Sequence, residues 1–262
     1  MSEATMQRAR PKAADHTDPI TSEVIRNAYN AIADDMSAVL SRSAYSPIIY
    51  ECHDYGIALF DHKARLLGQY AGLPLFTGGL DAGLKEMIAK YGRKTLRDGD
   101  VFTVNDSYIT GGHLNDVDVI GVVADDEGLI GFLCIRAHWN DIGTAEPGFP
   151  VNSRNIFQEG QRWGPTQIMR QGDWIQDVVD LLSINSRTPK TLLGDLKAQI
   201  AALRLGSERM KWLTSRFGRA TLHASTAQIF NVTETKFRNF IRDIPDGIYE
   251  TEGVSDNDGV TD

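Results

Sequence analysis

Cysteine is scarce in this chain: two in 262 residues, Cys52 and Cys134, far apart and without CxxC spacing. That excludes a disulfide framework or a thiolate metal site and leaves two buried free thiols as the reading. No apolar run approaches the roughly 18 residues of a membrane span, so no membrane partner is expected. Basic side chains are outnumbered, 27 Lys and Arg against 35 Asp and Glu. They form no stripe interleaved with aromatics, so no nucleic-acid surface is expected either. Phosphate-binding signatures are missing, since GxxxxGK[ST] does not occur and the glycines of TGGLDAG do not fit GxGxxG. Any use of ATP therefore falls to another protein. HExxH and GxSxG are also missing, which sets aside the common zinc-protease and serine-hydrolase signatures. The opening MSEATMQRARPKAADHTDP has basic residues but no apolar h-region. Residues 1–17 read as a disordered leader of a cytoplasmic protein, not as a secretory signal.

What is present is the composition of an ordinary globular chain, 42% hydrophobic and 24% charged, with length enough for a sizeable core. The pattern along it predicts an α+β fold: an N-terminal helix, an antiparallel or mixed sheet with hairpins, then a helical region. Asp18-Pro19 supplies an N-cap and a first-turn proline, and Val24, Ile25, Ala28, Ile32, Met36, Val39 and Leu40 follow at helical spacing. GIALFDHKARLLGQY reads as a hairpin around Asp61-His62-Lys63. Leu80, Leu84, Met87 and Ile88 return to helical period, with Gly92 as the stop. Strands are expected at Val101 to Val104, Val117 to Ala124 and Leu129 to Ala137. Glu146 to Asp173, rich in proline and glycine, reads as a long ordered loop. Thr188-Pro189 opens a long helix that Gly206 is expected to kink and Gly218 to end, and a last helix carries Phe237 and Phe240. After Pro245-Asp246-Gly247, GIYETEGVSDNDGVTD reads as a strand that begins and stops, with DNDGVTD a solvated turn and not a calcium loop. The expected divisions are 18–173 for an α+β metal-binding region, 174–246 for the helical region and 247–262 for the start of a truncated β segment.

Chemistry concentrates in two copies of His-x-x-Asp, one in GGHLNDVDVI (His113, Asp116) and one in AHWNDIG (His138, Asp141). They lie at the far ends of two apolar runs joined by ADDEG. A three-residue loop of Asp126, Glu127 and Gly128, with Gly128 left-handed, is a common hairpin connection. It would put Asp116 directly opposite His138, Cβ atoms about 4.5 to 5.5 Å apart. Gly111 and Gly112 would let the chain turn His113 toward the same face. Two imidazoles and a carboxylate so gathered suit a borderline or hard divalent cation. A two-residue loop is also common, and a register displaced by one would send His138 to the opposite face. Spacing alone also leaves open a strand-end histidine bonded to a backbone carbonyl, and Asn-Asp pairs that only form turns.

Several stretches, in order, extend the pattern: YECHDYGIALFD, NDSYITGGHLNDVDVI, AHWNDIG, FQEGQRWGP and RTPKTLLGDLKAQIAALRLGSERM. From about Pro19 onward they resemble the hydantoinase B/5-oxoprolinase family, which includes the large subunits of acetone and acetophenone carboxylases. The resemblance implies a metal-bearing subunit working beside a hydantoinase A-like subunit that uses ATP-Mg, in a hetero-oligomer. Carried over by position, the metal ligands fall on His113, Asp116, His138 and Glu51. Asp54 and Asp141 match further acidic positions. Asp141 is expected to fix the tautomer of a ligating imidazole, and Asp54 to act as general base or as support to the ligands. The implied metal is manganese, zinc or iron. The implied reaction is ATP-dependent opening of a hydantoin, oxoproline or lactam, the alternatives being ketone carboxylation and a non-catalytic scaffold. Members of the family are roughly twice as long, so the resemblance leads one to expect further β structure beyond Asp262 and a chain that is split, truncated or incomplete.

Overall fold

A computed structural model describes residues 17–145 and 152–254. In chain order the elements are α1 (Pro19–Ser43), α2 (Pro47–Tyr50), β1 (Tyr55–Asp61), β2 (Leu66–Gln69), α3 (Pro74–Thr77) and α4 (Leu80–Tyr91). Then come β3 (Val101–Val104), α5 (Ser107–Thr110), β4 (Asp116–Asp125), β5 (Gly128–His138) and a 3-10 turn at Ile156–Gln158. The series ends with β6 (Thr166–Arg170), β7 (Asp173–Trp174), α6 (Gln176–Ile184), α7 (Pro189–Phe217) and α8 (Arg219–Arg242). The fold is α+β. Its seven strands form one sheet in the order β2-β1-β5-β4-β3-β6-β7, and the pairings are antiparallel. No helix among the described residues is long and apolar enough to cross a membrane.

Helix α1 starts as its sequence dictates: the Asp18 carboxylate accepts the Thr21 N–H at 3.0 Å, and Pro19 occupies the first turn. Its buried stripe of Ile25, Tyr29, Ile32, Met36 and Leu40 packs with α7 against one face of the sheet, through Val117, Val119, Leu133 and Ile135. The opposite face, with Ile120, Val122, Phe132 and Cys134, is covered by Leu80, Leu84 and Met87 of α4. Both faces of β4 and β5 are thus buried, which is why these strands read as near-continuous apolar runs. Helix α7 belongs to the same core as the sheet, sharing Leu192, Leu196, Ile200 and Leu203 with it.

Several expectations are corrected. The segment read as loop contains β6, which pairs along β3 through Thr166 and Met169. TQIMR places its two apolar residues side by side, so no alternation announces the strand. Gly206 does not interrupt α7; it lets Met36 approach, since a Cβ there would stand 2.5 Å from the Met36 sulfur. Cys52 is exposed and only Cys134 is buried. No strand forms at residues 247–254, which lie exposed without a ladder partner. Residues 1–16 of the leader (1–17), the head of the long loop (146–151) and residues 255–262, which include the solvated turn DNDGVTD, lie outside the described residues.

The β4–β5 hairpin reaches its register by an unexpected route. Its tip closes with Asp125 opposite Gly128, a two-residue turn of Asp126 and Glu127. Left uncorrected, that turn would have set the displaced register. The ladder shifts between Val123 and Ala124: Ala124 faces Leu129 while Val123 faces Gly131, so Ile130 is the extra residue of a bulge. Beyond it Asp116 pairs with His138. Gly131, next to the bulge, admits the neighbouring strand, because a Cβ there would lie 2.2 Å from the Phe60 carbonyl oxygen. Backbone cannot swing aside as a side chain can. Gly131→Ala should therefore lower stability by roughly 2 kcal/mol, read as a lower urea midpoint. An unchanged midpoint would show that β1 gives way freely.

Candidate metal centre

Three strand ends meet at one edge of the core. Residue 54 precedes β1, His138 ends β5 and Asp116 begins β4, and the His138 N–H donates to the Asp54 carbonyl at 3.1 Å. On the α4 face of the β4–β5 ladder, the apolar rungs Val122/Phe132 and Ile120/Cys134 give way to Asp118/Arg136 and then Asp116/His138. The polar end of that face is the site.

Asp116 is its pivot. One carboxylate oxygen lies 2.8 Å from Nδ1 of the buried His138; the other accepts the His113 backbone N–H at 2.8 Å and stands 3.6 Å from His113 Nδ1. The corner bringing His113 here uses Gly111 at φ 71°, a left-handed value that suits glycine. Gly112 packs so closely that a Cβ would sit 3.0 Å from an Asp116 oxygen. Ligand atoms of His113, Asp116 and His138 all lie within 4.8 Å of one another. That donor set, two imidazole nitrogens and a carboxylate oxygen, fits a divalent cation in chemistry and in spacing.

The other candidate positions separate. Asp54, its side chain 27% exposed, lies 3.9 Å from His138 Nδ1. Burial pushes its carboxyl above the ordinary value, His138 opposes this and Asp116 adds to it. Glu51 is exposed at the end of α2 and does not belong to the three-residue group. Asp141 bonds elsewhere: its oxygens accept Arg187 N, Nε and Nη2, the Gly143 N–H and the Ser186 hydroxyl. Burial raises the Asp141 carboxyl, but the Arg187 and Gly143 donors and the Arg187 charge outweigh it and hold it below the usual range. It is Asp116, not Asp141, that lies against the His138 ring.

Around these donors stands a frame of buried amides that spacing could not reveal. Asn115 Nδ2 donates to the Trp139 carbonyl at 2.7 Å while the Trp139 N–H donates to the Asn115 carbonyl, joining the two His-x-x-Asp segments. Asn105 donates to the carbonyls of Leu114 and Gln161 and accepts the Trp163 N–H. The fully buried Trp139 donates from its indole to Gln199 of α7 at 2.9 Å. Gln158 and Gly160 of the QEG stretch close on the segment after His138: Ala145 N–H donates to the Gln158 carbonyl, and a Cβ at Gly160 would strike Ile142. Asp195 of α7 accepts the Tyr45 and Ser46 N–H groups and so fixes the corner leading to residues 51–54. All but Tyr45 and Ser46 lie inside the stretches that carried the resemblance or directly beside them.

The hydantoinase B/oxoprolinase family model matches residues 18–262. The B chain of a putative D-/L-hydantoinase from Pseudomonas sp. strain NS671 is 34% identical over 91% of this chain and 41% of its own length. The beta chain of caprolactamase from Pseudomonas jessenii is 30% identical over 92% of this chain and 42% of its own. The chain thus spans about two fifths of the length of these relatives. The crystal structure of the ATP-dependent caprolactamase from Pseudomonas jessenii superposes with a TM-score of 0.83 at 30% identity, over 88% of this chain and 40% of that one. A nucleotide-free acetone carboxylase structure shares the fold, with a TM-score of 0.74 at 20% identity over 80% of this chain and 28% of that one. Family model, relatives and superposition agree over nearly all of the described residues, and the chain belongs to the hydantoinase B/oxoprolinase family.

Proposed function

We propose that this chain supplies the metal-bearing part of an ATP-dependent amidohydrolase that opens cyclic amides of the hydantoin, oxoproline or lactam class, beside a hydantoinase A-like subunit that uses the ATP. The observation carrying this reading is the convergence of His113, Asp116 and His138 in a member of the hydantoinase B/oxoprolinase family. Manganese, zinc and iron suit such mixed nitrogen and oxygen donors. Bound there, the ion would supply Lewis-acid stabilisation of charge developing on an oxygen and ease deprotonation of water.

The chain's own residues divide the remaining work. Asp116 bonds the His138 imidazole through one oxygen and the His113 main-chain N–H through the other, so that it orients one ring directly and the other through its backbone. In this reading Asp54, partly solvent-exposed beside His138, takes a proton from water at its carboxylate. Because the sequence has no phosphate-binding signature, activation of the amide oxygen by phosphorylation falls to the partner. Names of the relatives at 30% identity and above favour amide opening. Likeness to acetone carboxylase at 20% identity speaks for the fold alone and leaves ketone carboxylation without separate support. The three gathered donors speak against a scaffold that has lost its site.

Reconstitution tests the reading. The chain is combined with a hydantoinase A-like subunit and a polypeptide covering the remaining length of the family, then assayed on hydantoin, 5-oxoproline and caprolactam. Turnover should require ATP, the divalent metal and the partner, and the chain alone should show none. Turnover by the isolated chain without ATP, or a metal-independent complex, would overturn it.

A further inference from the structure

One rung inward from Asp116 and His138 lies a buried ion pair that the proposed chemistry does not use. Arg136 is 2% exposed and Asp118 is fully buried. Arg136 Nε donates to one Asp118 oxygen at 2.6 Å and Nη2 to the other at 3.0 Å, a two-pronged pairing. The next rung, Ile120 opposite Cys134, is apolar and equally buried, so packing alone does not call for charge at this depth. Taking two charges out of water costs several kcal/mol per ion, and an apolar pair of similar volume would often serve stability as well.

What an apolar pair could not do is hold the corner that carries His113. Arg136 Nη2 also donates to the Thr110 carbonyl at 3.2 Å. Thr110 ends α5, and Gly111 and Gly112 then turn the chain into His113. Helix α4 is cut away to admit this arrangement. A Cβ at Gly79 would stand 2.5 Å from the Thr110 carbonyl oxygen and 2.8 Å from Arg136 Nη1, and one at Gly83 would stand 2.7 Å from an Asp118 oxygen. His113 has a side chain 57% exposed, and the turn at Gly111 and Gly112 carries it toward Asp116 and His138.

We infer that Arg136 is a positioning residue: locked on Asp118 and donating to Thr110, its guanidinium sets where the Gly111–His113 corner presents the His113 imidazole to Asp116 and His138. Its bearing on metal affinity rests on the proposed metal reading; its hold on the corner does not. Lysine cannot replace it, because a single ammonium lacks the planar fork that spans carboxylate and carbonyl together.

Two variants of the full chain test this. Arg136→Lys keeps the charge and loses the fork. The double variant Arg136→Met, Asp118→Leu exchanges the pair for apolar side chains and is expected to stay folded. Amide hydrogen exchange of the metal-free protein is read at Gly111 to His113 against α1 and β3, and zinc and manganese affinities are measured by chelator competition. Both variants should exchange ~10-fold faster at the corner with α1 unchanged, and bind metal ~10- to 100-fold more weakly. Corner exchange equal to that of the wild type in either folded variant would overturn the inference, and Arg136→Lys decides alone should the double variant not fold. If the wild type itself takes up no metal, the metal reading falls, while the exchange result still decides the role of Arg136.

Discussion

His138→Ala is expected to purify with less than about a tenth of the divalent metal found with the wild-type chain, because losing one of the three proposed donors removes far more binding free energy than losing a neighbour that only orients them. Asp116→Asn should lose comparably, since the carboxylate is both a proposed donor and the group aligning the two histidines. Asp141→Asn should retain most of the metal. Its oxygens face Arg187, Gly143 and Ser186, so its substitution loosens the segment after His138 without touching the three donors. Elemental analysis of the purified proteins, with circular dichroism to verify folding, reads the order directly. Equal metal in His138→Ala and wild type would remove the basis of the site, and a larger loss in Asp141→Asn than in Asp116→Asn would show that the roles of the carboxylates are reversed.

The rung on which this rests is legible in the sequence, but for an incomplete reason. Counting a three-residue loop places Asp116 opposite His138; the structure has a two-residue turn and recovers the same pairing through a bulge at Ile130. Two local errors cancel because the register is enforced from elsewhere. Val117, Val119, Leu133 and Ile135 must face α1 and α7 while Ile120, Val122, Phe132 and Cys134 face α4, and a one-residue slip would reverse every one of them. The core selects the register, and the turn adapts to it.

Elements with strong period or caps, such as α1 behind Asp18-Pro19 and α4 before Gly92, are legible because each is announced by residues adjacent in sequence. Strand β6 and the packing role of Gly206 are not, since both are defined by what lies across from them. The amide frame is the extreme case. Asn105, Asn115 and Gln199 act by bonding main chain or indole groups 9 to 64 residues away, and no spacing rule encodes such partners. Glu51 and Asp54 show the converse. Both stand in one acidic stretch, and only the backbone bond from His138 to Asp54 decides which of them is drawn to the donors.

That distinction leads to an expected split in activity. In the reconstituted complex, Asp54→Asn should lower kcat for lactam or hydantoin opening by at least about 100-fold, the effect typical of removing a positioned general base. Glu51→Gln should stay within about twofold of wild type, as expected of an exposed group outside the cluster. Asn keeps the shape of Asp54 and the main-chain bond from His138, so a loss of rate would report the carboxylate and not the fold. Metal content separates two ways of losing rate. If Asp54 moves a proton, Asp54→Asn keeps its metal and loses turnover; if Asp54 completes the ligand set, metal and turnover fall together. Near-normal turnover in Asp54→Asn with a large loss in Glu51→Gln would return the fourth position to Glu51, and would require the end of α2 to move toward His138 when the partner binds.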